Sequence, residues 1–139
     1  MKYIFLDIDG VLNNYTSGTI FDDQNVQVFK ELCDTLGDVH IIISSSWRFF
    51  DDALMDLKEC FESYGIPLWE GITSKNRKLQ REEQVLLYMS EHNIAEEEMV
   101  ILDDIYFFKK LEHRFVNTSM KDGLTAKDME RVLGLFEVS

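Results

Sequence analysis

Basic residues are scarce in this chain: 14 Lys and Arg stand against 26 Asp and Glu, a formal charge of −12 in 139 residues. The mean surface field therefore repels polyanions, which counts against nucleic acid as a partner. Lys75, Arg77, Lys78 and Arg81 form the one local basic cluster that could hold phosphate. Cysteine is nearly absent. Cys33 and Cys60 sit in helical patterns among apolar neighbours without metal-ligand spacing, so they read as buried free thiols of a reducing compartment. No apolar run approaches the roughly 18 residues of a membrane span; the opening MKYIFL is broken by Asp7 and Asp9. The expectation is a cytoplasmic protein with no signal peptide or membrane segment, with secretion by a signal-less route left open. Proline occurs once, at Pro67, and no repeat, low-complexity tract or linker interrupts the chain, so residues 1–139 read as one domain. His40, His92 and His113 fall in different elements with no shared metal spacing and are assigned surface or packing roles.

What is present is an alternation of two periodicities. KYIFLDI, residues 2–8, is apolar, rich in β-branched and aromatic residues, and too short for a helix: a buried strand. From Asp22 to Leu36 the residues Val26, Phe29, Leu32, Cys33 and Leu36 recur at three- and four-residue steps before Gly37, which predicts an amphipathic helix. VHIIIS, residues 39–44, is a second buried strand, and a helix follows over Asp51–Tyr64. IPLWEGI, residues 66–72, reads as a short strand or extended segment at an edge, given Pro67. A helix from about Gln80 to His92 leads through the solvated acids 96–98 to a third strand, MVIL, residues 99–102. A helical turn around Phe107–Glu112, a strand RFVNT at 114–118 and a final helix from Thr125, with Asp128 placed as in a capping box, complete the chain. Strands joined by helical crossovers imply an α/β fold, a three-layer sandwich around a central parallel sheet.

Three strand ends carry polar groups that the architecture alone does not require: Asp7 and Asp9 after the first, Ser44 to Ser46 after the second, Asp103 and Asp104 after the third. A parallel sheet brings these ends to one edge, where ligands of such folds bind. Four crowded carboxylates repel one another unless a hard divalent cation offsets their charge, and oxygen-only ligands suit Mg2+. Trp47 and Arg48 follow the serines, either lining the entrance or as a packed Trp with a surface Arg.

These residues resemble motifs of a known family. LDIDGVLN, residues 6–13, is similar to the first motif of the haloacid dehalogenase (HAD) superfamily, and IIISSSWR and VILDD, residues 41–48 and 100–104, to its second and fourth. The closer likeness is to the small HAD domains of Swiss-army-knife RNA-repair proteins, through SSSWR at 44–48, REE at 81–83 and GLT at 123–125. The resemblance implies a HAD-like Rossmannoid phosphatase in which Asp7 attacks phosphorus and Asp9 acts as acid and then base. It further implies Ser44 as a phosphoryl hydrogen-bond donor and Arg81, with Lys75 and Lys78 as alternatives, as the cation beside the transferring group. The implied Mg2+ ligands are Asp7, Asp9 (through its backbone carbonyl), Asp103 and Asp104.

Two rivals share parts of this pattern. A phospho-accepting switch carries paired acids after its first strand but its acceptor on the third, and a degenerate binding module would lack a nucleophile, acid or metal ligand; none is missing here. From Asp9 to Ser44 and from Ser46 to Arg81 the chain is filled by the predicted elements, leaving no room for a cap domain. An uncapped site implies a phosphoryl group presented on a macromolecule. The net charge favours a phosphoprotein, with phosphotyrosine or phosphoserine as the bond cleaved, over the nucleic-acid end that the family likeness suggests.

Overall fold

The computed structural model describes residues 1–105 and 107–138. Five strands, β1 (Lys2–Leu6), β2 (Val39–Ile43), β3 (Gly71–Ile72), β4 (Met99–Asp103) and β5 (Phe115–Asn117), form one parallel sheet in the order β3-β2-β1-β4-β5. Four helices, α1 (Asp23–Leu36), α2 (Asp51–Tyr64), α3 (Arg81–His92) and α4 (Ala126–Leu135), connect or follow them. The central strands are covered on both faces, which is why KYIFL, VHIII and MVILD read as nearly unbroken apolar runs.

Alternation along the strands divides the core in two. Ile4, Leu6, Ile41, Ile43, Val100 and Leu102 pack with Phe29 and Leu32 of α1, Leu57 and Phe61 of α2 and Val132 of α4. Phe5, Ile42, Met99 and Ile101 face the other way, against Val85, Tyr88 and Met89 of α3 and Phe108 and Leu111 of the β4–β5 connection. Each fully buried Leu, Ile or Phe contributes about 1.5–3 kcal/mol of transfer free energy, so both layers are needed to hold the sheet. The order of strands reverses between β1 and β4: the chain builds outward through β2 and β3, then α3 returns it across the opposite face to β4.

Most element boundaries match the sequence pattern. Asp22 precedes α1, Gly37 ends it with φ +81°, and Thr125 and Asp128 exchange hydrogen bonds as a capping box, Thr125 N–H donating to Asp128 Oδ2 at 3.0 Å. Two expectations shift. Only Gly71–Ile72 of IPLWEGI joins the sheet, as the edge strand β3. The helical turn expected at Phe107–Glu112 lies instead at Glu112–Arg114; Glu82 of α3 accepts from the backbone N–H groups of Lys110 and Leu111 and so ties the bend at 109–111 to α3. Among the described residues no helix is long and apolar enough to cross a membrane.

Candidate active site

Register fixes the site. Leu6 lies opposite Ile43 on one side and Leu102 on the other, so the next row of the sheet holds Asp7, Ser44 and Asp103 side by side, continued by Asn117 opposite Asp103. The ladder persists into this row: Asp7 N–H donates to Leu102 O and Ser44 N–H to Leu6 O. Because side chains alternate, a row following Leu6, Ile43 and Leu102 points to the α3 face. There Arg81, the first residue of α3, extends its guanidinium to 3.0 Å from Asp103 Oδ2 and 3.6 Å from Asp7 Oδ1. The site thus sits at the carboxyl ends of β1 and β4, where the strand order reverses.

Carboxyl oxygens of Asp7, Asp103 and Asp104 all lie within 4.8 Å of one another. Burial raises Asp7 well above the usual carboxylate range; Asp103 adds to the rise, Arg81 opposes it, and Asp104 raises it further. Burial likewise pushes Asp103 up to about 6 against the pull of Arg81. One guanidinium therefore undercompensates three acids. Hard oxygen donors with unrelieved negative charge fit a divalent cation such as Mg2+. Beside them the Oγ atoms of Ser44 and Thr73 are buried without a hydrogen-bond partner among the described residues, two donors held ready at the same sheet edge.

The loop after β1 is held by groups whose roles the sequence does not reveal. Gly10 has φ +79°, and a Cβ there would run into the Asp104 carboxylate, so glycine is what lets the β1 loop and Asp104 meet. Thr118 Oγ1 donates to Gly10 O at 2.6 Å, and Asn13 Oδ1 accepts from Gly10 N–H. The Asp9 side chain stands apart from the three-acid cluster. Its oxygens accept from Asn13 Nδ2 at 2.9 Å and from Trp47 Nε1 at 3.1 Å.

Trp47 thus reaches the site, and Arg48 is not on the surface but buried, at the wall of the adjoining cleft. It is 1% exposed and donates to Ser44 O, Ser45 O, Ser74 O and Gln84 Oε1 at 2.7–3.0 Å, tying the end of β2 to the segment before α3 and to α3 itself. Of the cations considered for the transferring group, Arg81 meets the aspartates, whereas Lys75 and Lys78 are exposed. Cys33 and Cys60 are free, buried and remote in role, their thiols pushed up to about 12 and about 11 by burial.

A family model described as the HAD domain in Swiss Army Knife RNA repair proteins matches residues 3–129. The chain belongs to this family. No curated protein and no solved structure matches it. As a HAD domain it is capless: residues 7–22 between β1 and α1 form only turns, and residues 65–80 between α2 and α3 hold nothing larger than β3. HAD membership suggests a phosphatase-type hydrolase.

Proposed function

We propose that this HAD domain is a Mg2+-dependent phosphomonoester hydrolase working through an aspartyl-phosphate on Asp7. The observation that carries the reading is the row Ser44–Asp7–Asp103 with Arg81 over it and Asp104 beside it. Asp7, Asp103 and Asp104, with the backbone carbonyl of Asp9, would hold the metal, which when bound offsets charge on the phosphoryl oxygens. Asp7 attacks phosphorus as the bond to the leaving oxygen breaks, and Asp9 gives that oxygen its proton. Asp9 then takes a proton from water as the water attacks the same phosphorus, releasing orthophosphate and restoring Asp7. Arg81 and the Ser44 hydroxyl stabilise the transferring group, the first by charge and the second by a hydrogen bond.

An open, capless site suits a phosphate carried on a macromolecule. Mean charge favours a phosphoprotein, but the family's description, RNA repair, favours a nucleic-acid end, and we adopt the second reading. The mechanism is tested by thermal unfolding with fluoroberyllate, which mimics phosphate on a carboxylate. It should stabilise the protein only when Mg2+ is present, and it should fail with Asp7→Asn. Stabilisation of Asp7→Asn equal to that of the natural chain would remove Asp7 as nucleophile.

A further inference from the structure

The −12 charge is unevenly distributed. Six of the 14 basic residues, Lys75, Arg77, Lys78, Arg81, Lys109 and Lys110, occupy two short segments that contain no acid, 74–81 and 107–111. Both segments contribute to a cleft of about 570 Å³, lined among others by Ser46, Phe49, Arg77, Gln80, Arg81 and Phe107; of the six cations, Arg77 and Arg81 line it. Arg81 is shared with the aspartates, so the cleft opens directly from the catalytic row. Its single lining acid, Glu82, is turned to the N–H groups of Lys110 and Leu111. Arg77 is exposed and forms no ion pair among the described residues; its guanidinium lies 4.2 Å from the centre of the Phe49 ring. Phe107 is 90% exposed and presents its aromatic face to solvent.

The groove on the opposite side of the site, toward α4, has the reverse character. Asp104, Asp122 and Asp128 line it against Lys127 and Arg131, and Arg131 is already 3.6 Å from Asp128. With Asp104 given to the metal, the charges of that groove balance, whereas the cleft on the other side offers an excess of cations to a polyanion.

Resting on the hydrolase reading above, we infer that the cleft is a subsite for single-stranded nucleic acid, in which Phe107 stacks the base next to the scissile phosphate and Arg77 pairs with the following backbone phosphate. Exposed aromatics together with a guanidinium plane on a basic groove are the chemistry that holds unpaired bases. A phosphopeptide supplies neither a second regular phosphate for Arg77 nor a base for Phe107. The strand therefore runs past the first turn of α3, from Asp7 toward Arg77.

The test separates this subsite from the hydrolase reading by using strands that cannot be turned over. Fluorescein-labelled hexanucleotides without terminal phosphate, RNA and DNA in separate arms, are titrated with the full chain in Mg2+ and followed by anisotropy from about 50 to 200 mM salt. Affinity should fall with salt, with a slope of about −0.7 for each phosphate engaged. Arg77→Ala should weaken binding about tenfold and flatten the slope by about 0.7, and Phe107→Ala should weaken it about tenfold at unchanged slope. Lys127→Ala, in the opposite groove, should change nothing. Both cleft positions are exposed, so unchanged melting temperatures show that the variants fold. Arg77→Ala and Phe107→Ala binding within twofold of the natural chain overturns the subsite, as does a phosphotyrosine or phosphoserine peptide turned over with higher kcat/KM than a phosphorylated hexanucleotide. Absence of aryl phosphate hydrolysis with the binding pattern intact would instead sink the hydrolase reading and leave the subsite standing.

Discussion

Asn13 and Trp47 each donate to a different oxygen of Asp9, so this side chain is oriented from two elements at once, the β1 loop and the 3-10 turn at Ser46–Phe49. On the proposed mechanism Asp9 both gives and takes a proton, and general acid–base catalysis is worth about 10²- to 10⁴-fold only when the geometry is held. Trp47→Phe keeps the ring and removes the N–H. It should lower kcat about tenfold with little change in KM, and the loss should shrink for aryl phosphates whose phenolate leaves without protonation. Steady-state kinetics across a series of substituted aryl phosphates reads this directly; an equal loss for every leaving group would mean that Trp47 acts on something other than Asp9. The Trp indole is a residue whose role the sequence leaves open, because reach across 38 positions between two loops has no periodicity to reveal it.

Arg48 shows the same effect between elements. Its four acceptors belong to the end of β2, the segment before α3 and α3 itself, so the guanidinium welds the sheet edge that carries Ser44 to the helix that carries Arg81. Arg48→Met should cost about 3 kcal/mol or more, because the stem is matched but buried carbonyls lose their donors. Urea unfolding checks this through the midpoint at constant m; a cost under about 1 kcal/mol would show that the acceptors find other partners. The strands, helices and the three polar strand ends were legible because period, stops and caps are local signals: Gly37 closes α1 and Thr125 with Asp128 opens α4 just where the pattern places them. Arg48 was not legible, since a cation after three serines looks like surface until the partners 26 and 36 residues away are in place. The extent of β3 escaped for a related reason: only the edge of β2 decides that Gly71 and Ile72 form the strand, with Glu70 N–H donating to Ile41 O just before it, while Leu68 and Trp69 stay outside. The displaced turn at Glu112–Arg114 depends on Glu82, which sequence proximity cannot supply.

Across the whole molecule the dominant fact is an acidic chain that gathers three carboxylates at one sheet edge and places Arg48, Arg77 and Arg81 in the cleft beside them. The buried acids make stability depend on pH with a definite sign. Asp103 titrates near 6 in the folded chain against an ordinary 3.8, so between those values the folded state holds a proton that the unfolded state has lost. Its contribution to stability therefore falls as pH rises from about 4 to about 6 and stays lost above, where on the proposed mechanism a divalent cation would take the proton's place. Metal-free protein should melt lower at about pH 7 than at about pH 5, Mg2+ should raise the melting temperature more at the higher pH, and Asp103→Asn should reduce both effects. A natural chain and an Asp103→Asn variant with identical pH slopes would contradict this. The central claim is that Asp7 and the acids beside it perform metal-dependent phosphate hydrolysis, and the most direct measurement is turnover of a chromogenic aryl phosphate by the natural chain and by Asp7→Asn, each with and without Mg2+. The account predicts hydrolysis by the natural chain with Mg2+ alone; hydrolysis by Asp7→Asn at a comparable rate, or by the natural chain in a chelator, would contradict it.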